Sequence, residues 1–559
     1  MNLVRRYPHW IGVVLIAGLA CGLYWPFLGN PLVFDDWVFF SGYQFSYYAT
    51  HPFGLELRLP PYFSLAITEV LIGGMQAHRI VSLAFHVACA LALYKLTYDL
   101  LRSVVPPSTP EPMQRERAAT LAFVGAAAFA IHPVAVYGAG YLVQRTIVFT
   151  TLFSLLSAVL FVRGLARGRH VDALSAAMMY SIAVLSKEHS ILLPAAVVLA
   201  VFLVRPESRF AIRHVAIYWS ACAPVAISVT LFRKWLIGET YEPDYGVVAT
   251  QMEGVFGHAS GDLSWSMSAI TQAGLFFEYL ASWLWPDVRA MSIDVRVDFL
   301  QTWSPGWILL KSSAFIAFGA LGFVLLRRGG RAGLAGFGML FTWTLFVAEF
   351  STARFQEPFV LYRSYLWAPG ILIALVALVS AVPLRAALAA FALVGPMLAY
   401  QAHDRLVTFS SSFRLWEDAV AKLPGRPVPW GSRTLYMLAR EYVYGGQPEK
   451  AVEVAERCMA QYPDTVHCYY ARGVIHYLLD QYALALPYLS RAVELRPDSG
   501  IAHHRLGLVL ERLGRIPEAK VEYARASDLD YKVADFEIKR LESSGGSLTA
   551  PKATIPASR

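Results

Sequence analysis

Long uninterrupted apolar runs decide most of what this chain can become. One follows Arg5 and Arg6 and continues to about residue 28. Ten more, each about 15–22 residues long, centre near residues 90, 125, 153, 178, 197, 224, 316, 341, 373 and 393. Runs of that length match the thickness of a bilayer core. Inside lipid, a helix is the form that satisfies every backbone group within one segment. Composition agrees: 56% of the residues are apolar and 16% charged, and the mean hydropathy is +0.45. A soluble chain has about a quarter of its residues charged. Residues 1–405 are therefore expected to form an all-α, polytopic transmembrane domain of about eleven spans. The first run lacks a small-residue cleavage site and more runs follow it, so it reads as a retained helix.

The basic residues fall between the runs. Arg102, Arg115 and Arg117 lie in one connection, Arg163, Arg167 and Arg169 in another, then Arg205, Arg209 and Arg213, then Arg327, Arg328 and Arg331. Every second connection is arginine-rich, the pattern of cytoplasmic loops. Arg5 and Arg6 place the N-terminus on the same side. The short apolar segment Leu275–Trp285 then fits as re-entrant or interfacial, because counting it as a span would move Arg327–Arg331 outside. This threading also accounts for the net charge of +8. Nucleic-acid binding would instead need one basic, aromatic-studded face.

After the last run the pattern changes. Ala451, Ala485 and Ala519 recur at a spacing of about 34 residues, as do Cys458, Ala492 and Ala526, and Ala439, Gly473 and Gly507. Pro463 and Pro497 end two of the units. That period is the tetratricopeptide (TPR) spacing, and small residues belong where paired helices approach closely. One pair cannot bury its apolar face alone, but stacked pairs can. Residues 406–542 are expected as a TPR α-solenoid, and the Ser/Gly/Pro-rich residues 543–559 as a disordered tail. The solenoid is either a groove for an extended peptide or protein, or a structural cap. An odd number of spans puts it on the outer side. Cys458 and Cys468 could pair there if that compartment is oxidising. The five cysteines show no zinc spacing.

Polar residues gather at the outer boundary. Asp35 and Asp36 follow the first run, and repulsion between adjacent carboxylates raises one pKa toward that of a general base. Taken alone they would also suit a solvated helix end. Arg58, His132, Gln144, Arg145, Lys187, Glu188, Arg363 and Tyr365 fall at the same depth. Ionisable groups there usually line a cavity or pair with one another. One acidic pair beside Arg58, Arg145, Lys187 and Arg363 suits an anionic headgroup held by cations, with a carboxylate left to take a proton. No Gly-x-Ser-x-Gly elbow, phosphate-binding glycine loop or metal-ligand cluster appears in the sequence. The long outer connection from about Gly238 to Ile270 is a candidate lid.

These stretches carry a resemblance. Val33-Phe-Asp-Asp36, Arg58-Leu-Pro60, Ile131-His-Pro-Val134, Tyr141-Leu-Val-Gln-Arg145, Leu185-Ser-Lys-Glu188, Tyr279–Pro286 and Tyr362-Arg-Ser-Tyr-Leu366 occur in an order similar to that of GT-C fold glycosyltransferases. The chain most resembles the transmembrane and TPR-repeat protein O-mannosyltransferases and their bacterial relatives. It departs at Leu361-Tyr362, where relatives often show Glu-His, and that weakens any transfer of sugar specificity.

The resemblance implies a polyprenyl-phosphate sugar as donor, entering from the outer leaflet, with Asp35 and Asp36 as the catalytic element. Arg58, Arg145, Lys187 and Arg363 are the expected phosphate-binding set, and His132, Gln144, Glu188 and Tyr365 the supporting residues. No metal or cofactor is required if cations hold a monophosphate leaving group. The expected activity is sugar transfer to a hydroxyl of an extracytoplasmic protein, a pilin-like one for example, bound through the TPR groove. The expected location is a bacterial inner membrane, with the repeats in the periplasm. One alternative keeps the fold and takes a glycan or lipid acceptor. Another, not an enzyme, is a transporter or an assembly scaffold with a TPR platform.

Overall fold

The structure, a computed structural model, describes residues 8–40, 44–53, 56–104, 110–231, 264–297, 304–352, 354, 357–529, 531 and 533–543. The chain divides into two compact units. One is Met1–Ile293 with Phe299–Ser411, and the other is Asp294–Asp298 with Ser412–Arg559.

The first unit is built on α1 (Pro8–Tyr24), α2 (Leu59–Leu71), α3 (Met75–Val104), α4 (Glu111–Ala130), α5 (Pro133–Ala139), α6 (Arg145–Arg167) and α7 (Val171–Ser186). It continues through α8 (Ser208–Leu231), α9 (Ser264–Leu284), α10 (Pro305–Arg328), α11 (Gly330–Phe346), α12 (Ala368–Val379) and α13 (Leu384–Thr408). The apolar runs of the sequence are helical, although the one near residue 197 is broken into a 3-10 turn (Glu188–Ser190) and two short helices, Leu193–Val198 and Val201–Val204. Among the described residues, 7 helices are long and apolar enough to cross a membrane, or 8 when the bent pair of α4 and α5 counts as one span. The expected count of about eleven is reached only by adding three shorter apolar stretches, Val171–Ser186, Glu188–Val204 and Ala368–Val379. Leu275–Trp285 lies largely in α9, which is not among the helices apolar enough to cross.

Two local devices shape this bundle. The α4/α5 pair bends by 64°. Pro133 excludes His132 from the helical region, so His132 turns extended (ψ 136°) and α4 ends. Elsewhere glycine lets backbones touch. A Cβ on Gly336 would collide with the Gly322 carbonyl, and one on Gly338 with the Gly370 carbonyl. This is the close small-residue packing by which helices associate in lipid.

The bundle has two chemically distinct ends. At one, Arg163 pairs with Asp172 at 2.6 Å, Arg102 with Glu111 at 3.2 Å, and Arg117 donates to the Ser380 and Val382 carbonyls. These are the arginine-rich connections. The long segments that hold the candidate site gather at the other end. The stretch Gly238–Ile270, read as a lid, falls mostly outside the described residues, as does the tail after Ser543.

The second unit opens with α14 (Ser412–Ala421). Antiparallel pairs follow: α15 (Gly431–Tyr444) with α16 (Pro448–Gln461), α17 (Val466–Leu478) with α18 (Tyr482–Leu495), and α19 (Gly500–Arg512) with α20 (Ile516–Asp528). Helix α21 (Val533–Ser543) packs on the last pair. The small residues of the repeat do what their spacing predicted. Ala451, Ala485, Ala519, Cys458, Ala492 and Ala526 are fully buried. A Cβ on Gly473 would meet Leu489 at 2.5 Å, and one on Gly507 would meet Tyr523 at 2.7 Å. Pro463 and Pro497 lie in the turns between pairs. Cys458 and Cys468 form a disulfide that joins α16 to α17.

Candidate active site

The two acidic neighbours have separate environments. Asp36 is fully buried. Its Oδ2 accepts the Val33 N–H at 3.2 Å and its Oδ1 the Val143 N–H at 2.8 Å. Burial pushes its carboxyl up to about 7, and the charge of Asp35 adds to this. The Arg79 guanidinium and the two N–H donors oppose it. Asp35 is exposed, and its backbone N–H donates to the Tyr141 hydroxyl at 3.0 Å. The residue before it, Phe34, has a positive φ of 48°. This strained turn, held from both sides, aims Asp35 outward while Asp36 is tied to the start of α6.

Arg58 caps α2 from a second left-handed position, φ 68°. Its N–H donates to the Leu185 carbonyl at 2.6 Å, so the loop is pinned to the end of α7. Lys187 follows that end. It is buried, its Nζ donates to Gln144 Oε1 at 3.2 Å, and it lies 4.7 Å from the centre of the Tyr362 ring. No carboxylate stands within ion-pair distance of it among the described residues. Arg58, Arg363, Glu188 and Glu349 are near enough to act on it electrostatically. Tyr362 in turn feels Asp35, Arg58, Arg363 and Glu357. The half-buried Tyr362 ring is thus within electrostatic reach of both the exposed Asp35 and the cations Arg58 and Arg363.

A buried ionic network backs this face. Glu349 pairs with Arg354 at 2.8 Å, lies 3.7 Å from Arg363 and 3.2 Å from His189. Arg363 also donates to the Glu357 carbonyl at 2.9 Å and lies 3.8 Å from its carboxylate. Glu188 sits 3.3 Å from His189. Helix α9 braces the loop that carries Arg363. Tyr279 exchanges hydrogen bonds with both backbone groups of Val360, and Trp283 donates to Ser364 Oγ at 2.9 Å.

Three residues singled out in the sequence serve the scaffold. The Arg145 guanidinium is fully buried. It donates to the hydroxyls of Ser82, Ser64 and Thr68 and to the carbonyls of Ser64 and His78. Its donors are spent on α2 and α3. His132 caps α5 through Nδ1, and its Nε2–H donates to the Trp283 carbonyl at 3.1 Å. Tyr365 is buried against His86 Nδ1 at 2.6 Å. The tyrosine beside Lys187 is Tyr362.

Sequence reasoning passed over Glu349, Arg354 and Arg79. A carboxylate at the end of an apolar helix was the available signal for Glu349. Arg79 donates to the carbonyls of Asn30, Pro31 and Gly140 and so holds the chain leading into the acidic pair. Among the described residues no group of three or more His, Cys, Asp or Glu side chains is arranged to hold a metal ion.

The tetratricopeptide repeat family matches residues 436–499 and 479–530, so the C-terminal region carries TPR repeats. No curated protein matches the sequence. Among solved structures, the chain is similar to the Archaeoglobus fulgidus oligosaccharyltransferase, solved with a disulfide-tethered acceptor peptide containing the NVT sequon. The likeness has a TM-score of 0.37 and 13% identity, covering 81% of this chain and 59% of that one. The chain thus spans less than two thirds of that enzyme's length.

Proposed function

We propose that this protein is a membrane glycosyltransferase of the GT-C type. It moves a sugar from a polyprenyl phosphate to a hydroxyl of an extracytoplasmic protein. The observation that carries this reading is the buried Lys187, with no carboxylate at ion-pair distance among the described residues, which lies 4.7 Å from the Tyr362 ring and within electrostatic reach of Arg58 and Arg363. A buried cation with no carboxylate at ion-pair distance is costly, and an anion entering beside it relieves that cost. A phosphate suits this place.

In the proposed reaction the acceptor hydroxyl gives its proton to Asp35. Its oxygen bonds to the anomeric carbon of the sugar. The bond from that carbon to the phosphate oxygen breaks, and the electron pair leaves with the polyprenyl phosphate. Lys187, Arg58 and Arg363 stabilise the charge that develops there. Asp36 positions Asp35 and does not touch the substrate. Arg145 is left out of the phosphate set because its donors are already occupied.

The arginine-rich connections lie at the opposite end of the bundle from this cluster, which supports an outward-facing site. The Cys458–Cys468 disulfide supports an oxidising compartment for the repeats, such as a periplasm. The test is transfer by purified protein from a polyprenyl-phosphate sugar to exported acceptor proteins. Asp35→Asn is expected to lower the rate by about 10²–10⁴-fold with the fold intact. Undiminished transfer by that variant contradicts the reading.

A further inference from the structure

Four tyrosines belong to the region just described, and three of them have their hydroxyls committed to the scaffold. Tyr141 accepts the Asp35 N–H at 3.0 Å, Tyr279 is bonded to both backbone groups of Val360, and Tyr365 lies 2.6 Å from His86 Nδ1. All three are buried. Tyr362 differs on both counts. It is half-buried, and among the described residues its hydroxyl has no hydrogen-bond partner. A phenol in so packed a place usually finds a partner for its hydroxyl. Here a ligand or water has to supply it.

The neighbours of Tyr362 say which ligand. Lys187 Nζ lies 4.7 Å from the centre of its ring. The Tyr141 ring lies 6.5 Å away, centre to centre, tilted by 66° into an edge-on arrangement. One series of contacts therefore runs from the Asp35 backbone through Tyr141 and Tyr362 to the Lys187 ammonium. In the proposed reaction the proton goes to one end of that series and the phosphate sits at the other. The anomeric carbon is bonded first to the phosphate oxygen and then to the acceptor oxygen, so the sugar has to reach both ends. Tyr141 is buried, and the aromatic surface left for a ligand along the series belongs to Tyr362. A pyranose has a patch of C–H groups rimmed by hydroxyls. An aromatic ring with a polar tip complements both.

We propose that Tyr362 is the residue that recognises the sugar. Its ring packs against the C–H patch of the transferred pyranose, and its hydroxyl hydrogen-bonds a sugar hydroxyl. This rests on the reading of Lys187 as the phosphate-holding cation and Asp35 as the proton acceptor. It deepens that reading by giving the sugar a contact separate from the phosphate's. Loss of the contact lowers affinity for the sugar-bearing lipid and spares the lipid phosphate itself.

The test measures binding of two kinds of lipid to the full chain in detergent. One is bare polyprenyl phosphate. The other is the same lipid carrying glucose, galactose, mannose or N-acetylglucosamine in turn. Tyr362→Leu is expected to weaken the tightest-binding sugar lipid by at least ~10-fold and to leave the bare lipid nearly unchanged. Tyr362→Phe keeps the ring and is expected to weaken that sugar lipid by less. Retained binding of the bare lipid shows that both variants are folded. Equal weakening of both lipids by Tyr362→Leu overturns the proposal, because the ring would then act only through Lys187. Unchanged binding of the sugar lipid by Tyr362→Leu also overturns it, as does a loss with Tyr362→Phe as large as with Tyr362→Leu. A wild type that binds neither lipid removes the donor reading and this inference together. Failure confined to the sugar-bearing lipids removes this inference alone.

Discussion

Asp36 Oδ1 accepts the backbone N–H of Val143 at 2.8 Å, so a buried carboxylate fastens the loop after α1 to the turn before α6. Its neighbour Asp35 is exposed. Two adjacent residues of one type therefore divide into an anchor and a presented group. The anchor has a pH signature. Its pKa is raised from 3.8 to about 7 by burial. A carboxyl raised in the folded state favours folding below its unfolded value and loses that contribution as pH rises through the folded value. Thermal stability of the wild type relative to Asp36→Asn is thus expected to fall between about pH 4 and pH 7 and then level off. A flat difference across that range contradicts the assignment.

The two buried cations near the site should respond differently to removal. Arg145→Met strands several buried hydroxyls and carbonyls of α2 and α3, so it should cost about 3–5 kcal/mol of stability. Lys187→Met removes a charge whose contacts among the described residues are Gln144 Oε1 and the Tyr362 ring. It should leave the fold intact and weaken donor binding by about 10-fold or more. Melting curves, and titration with a polyprenyl-phosphate sugar, measure the two effects. An Arg145→Met protein with unchanged stability would refute its scaffold role.

Much of this architecture was legible in the sequence. The apolar runs are helical, with the one near residue 197 broken into short pieces, because an apolar surrounding leaves the backbone to satisfy itself, and the 34-residue step of Ala451, Ala485 and Ala519 marks the positions that helix pairs bury. The site was legible only in outline. Arg145 and Lys187 look alike in a string, each a base beside an apolar run. The meeting of α2 with α6, through Ser64 and Thr68, occupies the Arg145 guanidinium, while Lys187 meets no carboxylate at ion-pair distance among the described residues. No local pattern announces such a meeting. Nor does the sequence mark Tyr362 as a neighbour of Lys187, yet its ring lies 4.7 Å from the Lys187 ammonium.

Close helix contact at Gly338 gives a further prediction. A methyl there would press on the Gly370 carbonyl and lie 2.6 Å from the Ala374 nitrogen. Backbone cannot swing aside as a side chain does, so Gly338→Ala should destabilise the bundle by about 1–3 kcal/mol. Gly306, where a Cβ meets nothing within 4 Å, is the control for the same substitution and should change stability little. Equal effects at both positions would argue against the packing.

The disulfide addresses the side of the membrane. In intact cells Cys458 and Cys468 should resist maleimide labelling until a reductant is added. Cys458→Ser should destabilise the repeats by about 2–3 kcal/mol. Ready labelling without reductant would place the pair in a reducing compartment.

The central claim is that Asp35 takes the proton from an acceptor hydroxyl during sugar transfer. Mass spectrometry of exported proteins tests it most directly, comparing cells that express the wild type, Asp35→Asn or no copy of the gene. The account predicts sugar-mass additions on serine or threonine with the wild type. It predicts none with Asp35→Asn at equal membrane abundance, and none without the gene. Additions that persist with Asp35→Asn, or that do not depend on the gene, would contradict it.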